Sequence, residues 1–416
     1  MDAASTSDRL PVAWLAAAAI AGLAARLAFG LLYWTDQPLT RDELEYLSLA
    51  RSLAAGHGFV YDEILRSGSF VPFGRAPGYP AFIALVGAGR AVTTSVPVAL
   101  KIAQACVGAL GVWIAGVLAH RLAGARAARA AAALAAVYPP LVWIAGYAWS
   151  EAIFWPTGLL VAWLFDRALA QPTRASLAIL CGLATGAGLL IRPGLLLFLP
   201  IAGVYLLVRR HVLTLIALGL GVALVVVPWT IRNYVHHGRL MIVASDGGVT
   251  FWTGNHPLAI GDGDMAANVA IKQDNIRLRA DHPELTEEAM EPIYYREAFA
   301  WIAAHPLAWL TLEARKAFYL VVPIGPSYTL HSTRYFVTSV ASYGVVLVLA
   351  IAGAMSLGRR LGRTPGLWAL AASAVLTCLV FFSQERFRIP IVDPALVVLG
   401  GAGLAAFVDR ARRARV

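Results

Sequence analysis

Long apolar runs separated by short basic joints make up most of this chain. The runs fall at about 11–33, 97–119, 127–145, 150–167, 174–191, 194–208, 212–231, 336–357, 367–383 and 391–408. Each approaches the roughly 20 residues a helix needs to cross a hydrocarbon core, and the shorter ones read as tilted or broken spans. Two long stretches break the rhythm, about 35–95 and 232–335, where polar residues and turn formers are mixed with apolar ones. The first run is too long for a cleaved leader and lacks a clear cleavage site, so it reads as a retained span.

The first polar stretch opens on Thr40-Arg41-Asp42-Glu43-Leu44-Glu45-Tyr46. Thr40 and Glu43 have the spacing of a capping box, which predicts a helix beginning at Thr40 and ending before Gly56 and Gly58. Leu44, Leu47, Ala50, Leu53 and Ala54 form its apolar stripe, with Asp42, Glu45 and Ser52 off it. Such a helix next to a span lies in the membrane interface rather than across it. Glu43 is taken up by the cap, which leaves Asp42 a free carboxylate in the first turn. A turn-rich patch, Gly74 to Pro80, follows, then a short helix at about 79–92. The second polar stretch carries Asp246-Gly247-Gly248 and Gly254-Asn255, then predicted helices near 285–304 and 306–322. Glu313, Arg315 and Lys316 make the latter interfacial rather than spanning.

Composition agrees with the pattern. The chain has 416 residues, 59% hydrophobic and 14% charged, with a mean hydropathy of +0.67. That combination predicts an all-α polytopic membrane protein of one domain, about ten spans with interfacial helices in two long loops. The net charge of +10 comes from basic joints and would also suit an anionic lipid substrate. Zinc-ligand spacing and basic-aromatic patterning are missing, so no nucleic-acid partner is predicted. Cys106, Cys181 and Cys378 sit singly in apolar runs and read as small core residues. The basic clusters at Arg121–Arg129, Arg167–Arg174, Arg209–Arg210, Arg359–Arg363 and Arg410–Arg415 all fall on one side if the N-terminus is cytoplasmic. The expected topology therefore has both termini inside and both long loops outside.

Candidate chemistry gathers at the outer ends of the spans. Glu151 follows Tyr138-Pro139-Pro140 and Trp149-Ser150. Arg192-Pro193 marks a hinge, Arg232-Asn233 ends the seventh span, and Glu385-Arg386-Phe387-Arg388 joins the last two. Any one of these arginines reads equally as a snorkelling side chain. Together with Asp42 and Arg75 they predict an anion-binding cavity containing an acid. Glycosyl transfer from a lipid-linked sugar phosphate needs such a set: a carboxylate takes the acceptor's proton and guanidinium groups stabilise the departing phosphate. Nucleotide sugars are not expected outside the cell, so the donor would ride on a polyprenyl chain.

These residues resemble those of bacterial family 39 glycosyltransferases, the group that includes aminoarabinose transferases, protein O-mannosyltransferases and rhizobial core galacturonosyltransferases. The likeness rests on Asp42-Glu43 with Tyr46, Ala50 and Leu53; on Arg75-Ala76-Pro77-Gly78-Tyr79-Pro80; and on Tyr138-Pro139, Ser150-Glu151 and Arg192-Pro193. It continues through Pro228-Trp229 to Arg232-Asn233-Tyr234, Gly247-Gly248, Gly254-Asn255 and Glu385-Arg386-Phe387-Arg388-Ile389-Pro390. Where the family has lysine-proline, this chain has Arg75-Ala76-Pro77. The resemblance implies a GT-C fold, a polyprenyl-phosphate sugar donor, a glycan, glycolipid or protein acceptor, and inverting transfer at the outer face of a bacterial cytoplasmic membrane. It implies Asp42 as catalytic base. Substrate contacts are expected from Arg75, Tyr79, Glu151, Arg192, Arg232, Asn233, Asn255, Glu385, Arg386 and Arg388, with Trp149 and Trp252 as sugar or lipid platforms. Metal dependence varies in this fold; no dedicated ligand set is visible and no metal is predicted, although a divalent cation is compatible. The alternatives are a flippase, which would want internal repeats and midplane charges, and a scaffold, which would not need Asp42.

Overall fold

A computed structural model describes residues 9–62, 74–88, 92–325 and 332–413. Among these the chain is helical throughout, with no strand beyond one isolated bridge between Asp262 and Ser383. Helix α1 (Val12–Ala28) continues through a π turn to Tyr33, and α2 (Arg41–Ala54) and α3 (Gly78–Leu85) belong to the first polar stretch. Helix α4 (Val98–Val137) turns back on itself at Ala123–Gly124, so it is two spans rather than one. A short α5 (Pro139–Trp143) leads to α6 (Glu151–Ala170), α7 (Ala175–Ile191), α8 (Phe198–Val208) and α9 (Val212–His237). The second polar stretch folds as α10 (Gly247–Gly254), α11 (Val269–Ala280), α12 (Glu287–Ala304) and α13 (Pro306–Val321). Helices α14 (Thr333–Leu357), α15 (Pro365–Val380), the single turn α16 (Glu385–Arg388) and α17 (Val392–Arg413) complete the chain.

Every predicted span has its helix. Among the described residues six stretches are long and apolar enough to cross a membrane, α4 among them, and α7, α8 and α15 are shorter apolar helices. The chain is thus an all-α, multi-pass membrane protein. The seventh and last spans run on to His237 and Arg413, and two other boundaries fall short of expectation. The third span stops at Val137 instead of 145, because Pro139 and Pro140 deny the helix its next donors. The helix expected over 79–92 ends at Leu85, and residues 89–91 lie outside the described set. Helices α10 and α11 were not foreseen at all. As expected, α13 is not among the spanning helices: it buries Leu312, Lys316 and Leu320 and exposes Leu307, Leu310 and Phe318.

The bundle has two distinct ends. At one, Trp14 donates to the Arg129 carbonyl, Arg126 pairs with Asp409, and Asp166 accepts the Gly366 N–H. The basic joints lie here; Arg415 is outside the described residues. At the other end Arg192 and Arg386 meet on Glu151. Small side chains allow the close packing between: Ala127, Ala128, Ala131, Ala132, Ala135 and Ala136 are all buried on the second half of α4, which packs with α1 and α17.

One buried charge explains the Val137 break. Within an uninterrupted helix the Ala135 and Ala136 carbonyls would accept from residues 139 and 140, both proline. Arg26, 1% exposed on α1, supplies the missing donors: its guanidinium reaches the Ala135 carbonyl at 3.2 Å and the Ala136 carbonyl at 3.5 Å. It also donates to Gly22 in its own helix at 2.9 Å. A cation at a helix C-terminus is favoured by the dipole as well. Replacing Arg26 with Met should orphan two buried carbonyls and lower stability by about 2 kcal/mol. Detergent-titrated unfolding measures this, and equal stability of the two proteins would contradict the account.

Candidate active site

Helix α2 begins where the capping box predicts. The Glu43 carboxylate accepts the Thr40 N–H at 2.7 Å and its hydroxyl at 2.8 Å. It also accepts the Ala148 N–H at 2.8 Å, so the cap ties α2 to the loop before α6. Leu47 and Ala50 of the expected stripe are buried, but the buried face is turned toward the acids. Leu44 is 40% exposed, whereas Glu45 and Ser52 are buried. The reason lies in partners far along the chain: arginines from other loops draw the acidic side of α2 inward.

Asp42 lies between two of them. Its Oδ1 is 2.5 Å from an Arg75 nitrogen, and its Oδ2 pairs with Arg386. Arg75 also places Nε 2.6 Å from Glu45, and Arg386 places Nε 2.5 Å from Glu151. Arg192 joins Glu151 from the other side at 2.7 Å. The Arg386 guanidinium lies 4.1 Å over the Trp149 ring, Arg192 4.7 Å over Phe387, and Arg75 5.3 Å from the Tyr46 ring centre. Each bridging arginine therefore has a carboxylate on either side and an aromatic face beneath it, and its donor fork is fixed in space.

Two glycines allow the loops to approach. A Cβ on Gly74 would sit 1.8 Å from Ser245 Oγ, and one on Gly78 would sit 2.7 Å from the Leu190 carbonyl. Gly74 accepts the Ser245 N–H at 3.3 Å, which lays Arg75 beside Asp246; their charged groups are 4.0 Å apart. Gly78 seats α3 on the end of α7, next to Arg192.

The two partly open carboxylates differ electrostatically. Burial alone would raise the Asp42 carboxyl, but the Arg75 and Arg386 guanidiniums outweigh it and hold the group well below the ordinary range. Burial raises Asp246, opposed only in part by Arg75 and Arg192 and reinforced by Asp42.

Of the sequence candidates, the structure brings Asp42, Arg75, Glu151, Arg192 and Arg386 together. The others lie elsewhere. Tyr79 is 0% exposed; its hydroxyl donates to Gln104 at 2.5 Å and its ring packs edge-on against Tyr46, so it supports the site from beneath and offers no open face. Arg232 sits apart, 4.9 Å over Trp229 and donating to the Phe59 carbonyl. Asn233 donates to the Met241 carbonyl. Asn255 ties α10 to α13 and α15, donating to Val380 and accepting from Trp309 and Lys316. Glu385 pairs with Ser339 and Arg388 with Asp393; both border a cavity with Asp262 and Tyr319. Trp252 is buried between His256 and Tyr294, away from any platform role, while Trp149 is half-buried under Arg386. Glu45 and Asp246 were missed as site residues, as was Gln104, whose amide donates to the Ala145 and Tyr147 carbonyls and fixes the loop carrying Trp149. A lone amide within an apolar run was the available signal for Gln104. Among the described residues no group of three or more His, Cys, Asp or Glu side chains is disposed to hold a metal.

The fold is shared with solved membrane glycosyltransferases. It superposes on the archaeal oligosaccharyltransferase AglB of Archaeoglobus fulgidus, in complex with an inhibitory peptide and a dolichol-phosphate, over 97% of this chain and 51% of that one, with 15% identity and a TM-score of 0.54. The same enzyme tethered with an acceptor peptide containing the NVT sequon gives 0.57 at 16% identity, over 96% of this chain and 50% of that one. ArnT of Cupriavidus metallidurans bound to undecaprenyl phosphate aligns over 95% of this chain and 77% of that one at 14% identity, with a TM-score of 0.44, too loose to define a relationship by itself. The chain thus has a GT-C-type membrane fold and spans about half the length of the oligosaccharyltransferase. No protein-family model and no curated protein matches it.

The opposite shifts of the two carboxyls predict opposite pH behaviour. Asp42 is lowered by folding, so its ion pairs contribute fully above about pH 4 and are lost only in stronger acid. Asp246 is raised by folding, so its ionisation opposes folding increasingly as the pH climbs above about 4. An Asp246→Asn variant should unfold at a higher temperature than wild type at pH 8 and at nearly the same temperature at pH 4. A gain equal at both pH values would refute the assignment.

Proposed function

We propose that this chain is an inverting glycosyltransferase that moves a sugar from a polyprenyl-phosphate donor to an acceptor hydroxyl, working as one domain at the outer face of a bacterial cytoplasmic membrane. The observation that carries the proposal is Asp42, a carboxylate at the rim of the bundle held by guanidiniums from two separate loops. Transfer of a sugar away from a phosphate needs this juxtaposition of a proton acceptor and phosphate-stabilising cations. The fold supports it, since AglB, which shares that fold, was solved with a dolichol-phosphate.

In the reaction the acceptor oxygen attacks the anomeric carbon from the face opposite the phosphate. The new C–O bond forms as the bond from carbon to phosphate oxygen breaks, and inversion follows. The electron pair stays on the phosphate, which leaves as a polyprenyl phosphate, and the acceptor's proton passes to Asp42. Arg75 and Arg386 meet the phosphate, Glu151 holds Arg386 and Arg192 in line, and Trp149 backs Arg386. Arg232, half-exposed over Trp229, stands apart as a second cation for the lipid headgroup region. Tyr79, Asn233, Asn255, Glu385 and Arg388 act by holding the loops. The acceptor is a glycan, glycolipid or protein, and both chain termini are cytoplasmic.

Asp42→Asn should reduce transfer of radiolabelled sugar from defined polyprenyl-phosphate donors by about 100- to 10,000-fold, the usual worth of a general base. Normal transfer by this variant would leave Asp42 as a helix-terminal residue only. A wild type that moves the lipid across liposomes without transferring sugar would make the protein a flippase.

A further inference from the structure

Among the described residues the resting site has no spare positive charge. Arg41, Arg75, Arg192 and Arg386 face Asp42, Glu45, Glu151 and Asp246, one guanidinium for each carboxylate. An anion entering such a cluster must take a guanidinium from the carboxylate that holds it, because a desolvated charge without a partner is costly.

The four carboxylates are not equally displaceable. The Glu45 and Glu151 side chains are 0% exposed, whereas Asp42 is 24% exposed. Asp246 is also partly open, but at 4.0 Å it makes no hydrogen bond to Arg75. Asp42 alone among the four is both accessible and hydrogen-bonded to arginines of two loops, one oxygen to each. Two oxygens of a phosphate would use the same two donors. The arginines need not move for the exchange. Glu45 holds Arg75 through Nε and Nη2 and Glu151 holds Arg386 through Nε, so each guanidinium keeps one carboxylate while the contact to Asp42, made by Arg75 Nη2 and Arg386 Nη1, changes partner.

We propose that Asp42 is the resting occupant of the phosphate site: the phosphate of the polyprenyl donor binds between Arg75 and Arg386 by displacing the Asp42 carboxylate, which is free to receive the acceptor's proton only after that exchange. The inference rests on the glycosyltransferase reading above. A monoanionic phosphodiester replaces a monoanionic carboxylate, so the cluster stays balanced. Donor then precedes acceptor, because without donor each Asp42 oxygen is held by a guanidinium, which weakens it as a proton acceptor. After transfer, Asp42 gives up the proton it received to water or to the departing phosphate, and the regenerated carboxylate competes for the same arginines and helps to expel the polyprenyl phosphate.

The test is the affinity of the purified full chain for undecaprenyl phosphate. Removing a competing anion should tighten binding, so Asp42→Asn and Asp42→Ser should each bind at least about tenfold more tightly than wild type. Equal or weaker binding would overturn the exchange. A second measurement uses the unaltered protein: undecaprenyl phosphate should increase carbodiimide labelling of Asp42, read by peptide mass spectrometry, and unchanged or reduced labelling would contradict the proposal even if neither variant folds. The outcome separates from that of the transfer reading. An Asp42→Asn protein that binds tightly yet still transfers sugar keeps the exchange and removes the base; one that is inactive and binds no more tightly does the reverse.

Discussion

A carboxylate at the rim of a membrane bundle is costly to keep charged without a partner, and in this protein both partners of Asp42 come from later in the chain, one near and one far. Arg75 lies 33 residues away and Arg386 lies 344 residues away. The loops before α3, between α7 and α8 and between α15 and α17 all converge on the acids of α2 and α6. Their geometry follows from that demand. Gly74 and Gly78 lack side chains because the loops must touch, and Glu43 is both a helix cap and an anchor for the loop before α6. Removing one partner from a buried pair typically costs about 3–5 kcal/mol, more than most single contacts supply, so the cluster organises the loops as much as it serves chemistry.

Buried polar groups elsewhere follow the same rule with other partners. Arg26 meets carbonyls rather than an acid, and Lys101 does likewise at the end of the first span, reaching the Gly30 and Trp34 carbonyls. These cations sit where a helix ends within the membrane and its last carbonyls have no internal donor. A long basic side chain at the right distance supplies those donors.

The spans were legible because hydrocarbon thickness imposes a length on every crossing helix, and the breaks because proline lacks an N–H. The start of α2 was legible because capping is local, decided by Thr40 and Glu43 three residues apart. The buried face of α2 was not. Hydrophobic periodicity pointed to Leu44 as buried and Glu45 as exposed, and the distant arginines reversed that order. Arg386 and Arg388 were indistinguishable in the sequence, yet two positions on a helical turn are about 200° apart. One guanidinium enters the cluster and the other pairs with Asp393. Asn255 fitted a substrate role by motif, but its amide meets groups of α13 and α15, contacts that only the tertiary fold creates.

The separation between Asp42 and Arg386 has a further consequence, for biosynthesis. The acid emerges well before its second arginine, with 344 positions between them. At ordinary elongation rates that interval is on the order of tens of seconds. Throughout it Asp42 and Glu151 lack Arg386, while Arg75 and Arg192 are already made. A ribosome that stops before the Arg386 loop leaves Asp42 and Glu151 each one guanidinium short, so the cluster closes only once that loop has been made.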